Sequence, residues 1–215
     1  TLSAEIKKRH IEKGAEFVSG ASVFGLIGDG VLERVILDSG VIYDADVLVV
    51  AIGSIANTEW LIDSGIDITD GVLVDSAMRA IDESGNALEC VFAIGDVARY
   101  PNALFDEIPR RVEHWNLPSE TAKRAAEVIV ASQEGDNAKE VIAKTFGPLP
   151  SFWSDQYEMN ILSFGMTYLA DESKLVAGDI SDECVFEYYR EGELVGVCGI
   201  GMRPLIQSYR TKFEI

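Results

Sequence analysis

The most constraining feature of the sequence is a pair of short, fully apolar runs, each closed by glycine. The first run, Val47–Ile52, ends at Gly53, and the second, Val91–Ile94, ends at Gly95 and Asp96. Uninterrupted apolar runs of this length are typical of strands covered on both faces, as in a parallel sheet flanked by helices. Both runs are far too short to cross a bilayer. The sequence therefore predicts an α/β fold without a transmembrane helix.

Patterns around these runs extend the prediction. Two stretches, Ala15–Val18 and the alternating Val31–Leu37 before a turn, predict strands of a small antiparallel layer ahead of the first run. Alanines at helical spacing predict a helix over Pro118–Gln133, with the proline suited to its first turn. The polar, glycine- and proline-bearing stretch 134–150 is typical of a linker.

The character of the sequence changes beyond this stretch. Three strands are predicted, at Asn160–Tyr168, Cys184–Tyr189 and Leu194–Cys198, and a closing helix is predicted over Pro204–Lys212. Together they predict a compact antiparallel α+β unit. The predicted fold class is therefore α/β with an α+β C-terminal domain.

The first two-thirds of the chain lack one part of a doubly wound nucleotide-binding fold. That fold needs a Gly-rich turn between a strand and a helix. Gly25, Gly28 and Gly30 lie in a hairpin-like segment and do not form such a turn. We therefore interpret residues 1–52 as the C-terminal part of an NAD(P)-binding domain and 53–145 as that of an FAD-binding domain. Residues 146–215 are predicted to be a complete small domain.

Three features of the sequence limit the expected binding partners and the cellular compartment: how it begins, its net charge and its cysteines. Without an initiator Met or a signal segment, the sequence is expected to be part of a longer protein. The net charge of −18 repels phosphate, so nucleic acid and anionic membranes are not expected as partners. The three cysteines form no CxxC pair, and Cys90 and Cys198 are expected to be buried. A reduced, cytoplasmic protein without a structural metal is predicted.

Five stretches occur in an order that resembles a known family. They are Ala51–Glu59, Gly71–Asp75, Val91–Ala98, Arg111–Trp115 and Phe152–Tyr157. In this order they resemble the C-terminal half of FAD-dependent, NAD(P)H-using reductases of the ferredoxin-reductase and apoptosis-inducing-factor type. The third and fifth stretches are the most specific. After the fourth, the chain continues with Asn116–Glu120, where many members have Asn-Ala and a later Gln.

The resemblance implies a set of cofactor-binding residues: Gly53, Gly95, Asp96, Val97, Glu113, His114, Trp115, Phe152 and Trp153. The family's counterpart of Asp96 accepts a hydrogen bond from a ribityl hydroxyl of the flavin. The counterparts of His114 and Trp115 lie near the isoalloxazine and shape the nicotinamide pocket. Phe152 and Trp153 are expected to reach the ring from the C-terminal domain. Without the resemblance, His114 is better explained as the cap of a loop.

The function implied by the resemblance belongs to a parent protein. That parent passes a hydride from NAD(P)H to FAD, and then electrons to a ferredoxin or another acceptor protein. Because the sequence contains neither Gly-rich loop, residues 1–215 alone are expected to bind FAD weakly or not at all and to lack reductase activity. The alternative is a non-catalytic module in which residues 146–215 mediate homodimerisation or partner docking. A split enzyme with its other half on a separate chain is a third hypothesis. Arg110 and Arg111 are either a solvated pair or part of a docking patch.

Overall fold

The computed structural model describes residues 1–135 and 137–213, and the chain divides into two compact units. The smaller unit is Ser3–Ile55, and the larger is Ala56–Ile215 together with Thr1–Leu2. The three domains expected from the sequence stay a prediction.

The smaller unit contains a three-stranded antiparallel sheet. Its elements are α1 (Leu2–Glu12), β1 (Val23–Ile27), β2 (Arg34–Leu37) and β3 (Ile42–Asp44). The sheet order is β1-β2-β3, and the Gly40 N–H donates to the Leu37 carbonyl at 2.9 Å to close the second turn. This sheet confirms the predicted antiparallel layer and its strand within Val31–Leu37, but the strand predicted at Ala15–Val18 is wrong, because that stretch lies outside every strand and β1 takes the place beside β2.

The first apolar run does not form the predicted strand. Val47–Ile52 lies outside every helix and strand, and Val49 and Ile52 are 80% and 94% exposed. A buried parallel strand needs neighbouring strands for its backbone N–H and C=O groups and helices to cover its faces. In residues 1–135 and 137–213, no strand pairs with this run. The strand prediction is therefore wrong here.

Two small sheets form the first part of the larger unit. The strands are β4 (Val72–Leu73), β5 (Arg79–Ile81), β6 (Ala87–Phe92), β7 (Ala98–Asn102) and β8 (Asp106–Arg110). One sheet has the order β4-β7-β8, with β4 and β7 parallel, and the other is the antiparallel β5-β6 pair. The fold is thus mixed α/β, and the doubly wound arrangement stays a prediction.

The second apolar run is only partly a strand. β6 ends at Phe92, and Ile94 lies beyond it and is 42% exposed. Cys90 is exposed, contrary to expectation, because β6 pairs only with β5 and the middle of the strand has no covering layer among the described residues. Cys198 is buried, as predicted.

The long helix α2 (Leu117–Glu134) confirms the predicted helix. Pro118 occupies its first turn, and Gly135 follows its end with a φ of 84°, a left-handed conformation that glycine adopts without steric cost. The buried residues of α2 recur at helical spacing and so form one face: Leu117, Thr121, Arg124, Ala125, Val128 and Ala131. That face packs on a core that includes Val74, Met78 and Tyr100.

Part of the predicted linker folds as a short helix, α3 (Ala138–Ala143), which is a correction. The guanidinium of Arg124 explains how so short a helix is held. Its Nη2 donates to the carbonyls of Val141 at 2.8 Å and Lys144 at 2.9 Å, and its Nε donates to the Ser76 carbonyl at 2.8 Å. A buried cation thus satisfies carbonyls at the C-terminal end of α3, where the helix dipole favours positive charge.

A five-stranded antiparallel sheet forms the C-terminal part of the larger unit. Its elements are β9 (Ser151–Gln156), β10 (Met159–Gly165), β11 (Glu172–Gly178), β12 (Cys184–Arg190), β13 (Glu193–Ile200) and α4 (Arg203–Ser208). The order is β11-β12-β13-β10-β9. Ile206 and Tyr209 pack on the sheet, next to residues such as Val197. The three predicted strands and the closing helix are confirmed, whereas β9 and β11 were not predicted.

Polar contacts join this sheet to the preceding part of the same unit. The buried Asn102 Nδ2 donates to the Pro148 carbonyl at 2.8 Å. Arg190 donates to Asp106 Oδ2 at 2.7 Å, and Arg110 pairs with the same carboxylate. Hydrogen bonds from Arg110 and then Arg190 hold the pKa of Asp106 well below its ordinary value. No helix in the described residues is long and apolar enough to span a membrane.

Candidate functional site

The centre of the candidate site is a single-turn 3₁₀ helix, Gly95–Val97, which we call the Asp96 loop. Gly95 has a φ of 70°, which favours glycine, and its N–H donates to Thr121 Oγ1 of α2 at 2.9 Å. Asp96 is exposed, and among residues 1–135 and 137–213 nothing hydrogen-bonds or ion-pairs with its carboxylate. The loop therefore presents an available carboxylate beside the first turn of α2.

The other side of the Asp96 loop rests on Gly71 and Arg111. Gly71 has a φ of 72°, and a Cβ atom there would overlap the Val97 carbonyl oxygen. Arg111 Nη1 donates to the Asp96 carbonyl at 3.4 Å, and its Nε donates to Asp70 Oδ1 at 3.2 Å. Gly71 is thus needed for a close approach of two backbone segments.

Glu113 connects the loop to an aromatic cluster. It pairs with Arg111 and also lines a cavity of about 220 Å³. The other lining residues are His114, Trp115, Ser151, Phe152 and Trp153. With both Arg110 and Arg111 held in ion pairs, the interpretation of these arginines as a free solvated pair is wrong.

Two ring contacts build the cluster across the chain. The rings of His114 and Phe152 meet edge to face with centroids 5.6 Å apart, and those of Trp115 and Trp153 are tilted at 6.3 Å. Trp115 is 82% exposed and Trp153 is 54% exposed. Large aromatic faces left open to solvent at a cavity are suited to stacking on a planar ring.

Asn116 holds the two halves of the cluster together, a role that the sequence did not reveal. Its Nδ2 donates to the Leu149 carbonyl at 2.9 Å, and its Oδ1 accepts from the N–H and the hydroxyl of Ser151 at 3.3 and 3.2 Å. Asn116 stands at the N-cap of α2 but makes no capping bond with its side chain. The only available signal was its position before the first-turn proline, which points to a cap instead.

The structure thus brings eight of the nine predicted residues into one connected site. Gly95, Asp96 and Val97 form the loop, Glu113 links it to the cluster, and His114, Trp115, Phe152 and Trp153 form the cluster. Gly53 belongs to the smaller unit, where it is exposed and has a φ of 104°. The roles of these residues toward a cofactor stay predictions.

His114 is expected to be neutral at pH 7. Its Nδ1 is buried and finds no hydrogen-bond partner among the described residues, and burial lowers the pKa of its imidazole from 6.5. Because folding favours the neutral form, the stability contributed by this group is complete above pH 6.5 and declines as the pH falls below that value. An NMR titration of the ring protons should give a pKa below 6.5 in the folded chain.

The same titration of the urea-unfolded chain is the control, and it should return the ordinary histidine value. A folded-state pKa at or above 6.5 would show that an acidic group faces this imidazole.

Comparison with protein families defines the class of this chain. Residues 1–135, more than half of the chain, match the family model for pyridine nucleotide-disulphide oxidoreductases. The chain therefore belongs to the pyridine nucleotide-disulphide oxidoreductase family, which confirms the resemblance drawn from its motifs.

Individual relatives are ferredoxin-type reductases. Rhodocoxin reductase from Rhodococcus erythropolis is 30% identical over 206 residues, which are 95% of this chain and 42% of that protein. A ferredoxin reductase from Rhodopseudomonas palustris superposes with a TM-score of 0.80 at 24% identity, over 97% of this chain and 48% of that one. Putidaredoxin reductase, in its covalent complex with putidaredoxin, gives 0.79 at 22% identity, over 99% and 48%. These two structures share the fold, and the chain spans about half the length of the relatives it matches.

Proposed function

We propose that this chain is the C-terminal part of a flavoprotein that takes a hydride from NAD(P)H onto FAD and passes electrons to a ferredoxin-type protein. The observation that carries the proposal is the Asp96 loop, whose unpartnered carboxylate lies beside the first turn of α2. The carboxylate of Asp96 faces solvent on a loop that is held firmly in place, and it stabilises no other described residue. A role in binding a ligand therefore explains its position better than a structural role.

The residues of the loop suit a flavin. The Asp96 carboxylate accepts hydrogen bonds only, and the ribityl chain of a flavin carries hydroxyl donors. A Cβ atom at Gly95 would stand 3.8 Å from the Pro118 Cβ, an ordinary van der Waals distance, so the φ of 70° and not a lack of room favours glycine there. The Asn116 side chain does not cap α2, and the positive end of the helix dipole favours negative charge on a ligand near its first turn.

Each part of the site has a role in this proposal. Asp96 accepts from a ribityl hydroxyl, the N–H of Val97 faces the flavin chain, and the start of α2 stabilises negative charge at the edge of the flavin ring. His114 and Trp115 shape the pocket for the nicotinamide, and Phe152 and Trp153, which line the same cavity, reach the flavin ring from β9. A neutral His114 keeps that pocket free of added positive charge. When bound, FAD supplies the conversion of a two-electron hydride into single electrons.

The acceptor is proposed from the relatives. One of the superposed structures is a reductase joined to putidaredoxin, and several relatives are named ferredoxin reductases. The arginines Arg110 and Arg111 are engaged in ion pairs, so we do not assign them to docking. Homodimerisation through residues 146–215 and a cytoplasmic location stay predictions, and light scattering tests the first of them.

The product of the complete reading frame that encodes these residues is expected to copurify with about one FAD per chain and to oxidise NAD(P)H with a ferredoxin as acceptor. Residues 1–215 alone are expected to purify colourless and inactive, because their sequence contains no Gly-rich turn for the pyrophosphate. Flavin absorbance of the washed proteins and the rate of NAD(P)H oxidation measure both outcomes.

A variant tests the residue that carries the proposal. In the flavin-binding protein, Asp96→Asn should weaken FAD binding about tenfold or more, because a charge-assisted hydrogen bond is lost. Asp29→Asn removes a charge from another exposed site and is the matched control. A colourless product of the complete reading frame, or equal FAD affinity of the two variants, would contradict the proposal.

A further inference from the structure

The hydroxyl of Thr121 is fully buried, and it both donates and accepts hydrogen bonds. Its proton points back into the first turn of α2, toward the carbonyls of Leu117 at 2.9 Å and Pro118 at 3.1 Å, and its oxygen accepts from the Gly95 N–H at 2.9 Å. A hydroxyl has one proton to donate, so the bond back to the helix fixes the lone pairs that face Gly95. The backbone of the Asp96 loop is thus tied to one point on α2.

This tie matters because the Asp96 carboxylate has no contact of its own to orient it. The direction of that side chain is therefore set by the backbone on either side. Toward the C-terminal end of the loop, Gly71 and Arg111 confine the carbonyls of Val97 and Asp96. Toward its N-terminal end, Thr121 bonds the amide of the residue immediately before Asp96.

We propose that Thr121 is a positioning residue of the flavin site: its buried hydroxyl fixes the Gly95 amide on the first turns of α2 and thereby aims the Asp96 carboxylate. The flavin as ligand rests on the proposed function, whereas the hydrogen bond by which Thr121 fixes the loop is present in this chain without a ligand. Valine has nearly the same shape as threonine and lacks the hydroxyl, whereas serine keeps it.

The test is amide hydrogen exchange of the full chain, followed by NMR at the Gly95 and Asp96 amides. Thr121→Val should raise exchange at Gly95 by at least about fivefold, since the Gly95 N–H loses its hydrogen-bond acceptor. Thr121→Ser should restore slow exchange. Ser132→Ala is the matched control, because it removes another hydroxyl of α2, which donates only to the Val128 carbonyl at 2.8 Å. Exchange at Val128, in the middle of α2, should stay the same in all three variants.

The result that overturns the proposal is equal acceleration at Gly95 and Val128 in Thr121→Val, which would mean that Thr121 only stabilises the helix. A second measurement, FAD affinity of the product of the complete reading frame, separates this inference from the proposed function. Weaker FAD binding in Thr121→Val with rescue by Thr121→Ser supports the proposal, and unchanged affinity overturns it. If the wild-type product binds no FAD, the proposed function fails and the flavin role of Thr121 fails with it, while the exchange data still decide whether Thr121 fixes the loop.

Discussion

Replacing Arg124 with methionine is expected to lower the free energy of unfolding by about 3 kcal/mol or more. Arg124 is 5% exposed, and its guanidinium donates to the carbonyls of Ser76, Val141 and Lys144. Methionine fills much of the same space but donates nothing, and each hydrogen bond lost from a charged donor costs about 1.5–3 kcal/mol. Urea unfolding followed by circular dichroism measures the loss.

The six-residue helix α3 should be the first part of the molecule to respond. Without the cation at its C-terminal carbonyls, so short a helix has little stability of its own. Amide exchange within Ala138–Ala143 should therefore rise more than exchange in the middle of α2. Lys123→Met is the matched control, because Lys123 is the adjacent residue and its side chain is 69% exposed. Equal stability of the two variants would mean that α3 is held by other contacts.

The second large effect is expected from Gly71→Ala. The φ of 72° disfavours any L-residue, and the added Cβ would overlap the Val97 carbonyl oxygen and press on Arg111. Relief requires the Asp96 loop to move away from β4. We expect a loss of at least about 2 kcal/mol beyond the cost of the backbone conformation alone.

Gly65→Ala provides that reference. Gly65 has a φ of 75°, almost the same as Gly71, but nothing lies within 4 Å of a Cβ placed there. Its replacement should cost only the conformational part, about 1 kcal/mol. Thermal unfolding of both variants gives the comparison, and similar losses would show that the loop yields to the extra atom.

The sequence was sufficient where a pattern is local. The alanine spacing of α2, its first-turn proline and the strand patterns of β10, β12 and β13 all depend on neighbours a few residues away. The run Val47–Ile52 was misread because a buried strand is defined by the elements that cover it, and residues 1–135 and 137–213 supply none. An apolar run in a sequence does not show which strands and helices will cover it in the fold.

The order of the motifs was enough to predict which residues form the candidate site, but not which contacts hold them together. Gly95 and Thr121 are 26 positions apart, and Trp115 in the turn before α2 meets Trp153 of β9. A short buried hydroxyl in an alanine-rich helix looks like an ordinary helical position. Contacts between distant segments of this kind depend on the tertiary fold, so a single sequence gives no sign of them.

The two asparagine side chains that grip the Pro148–Ser151 segment have a kinetic consequence. Asn102 and Asn116 hold it from different elements, so the sheet cannot swing on a hinge there without breaking both sets of bonds. The cavity beside His114 is lined by two exposed indoles, Trp115 and Trp153. Rotamer changes of exposed side chains take picoseconds to nanoseconds, so the walls of this cavity that these indoles form rearrange far faster than a domain moves.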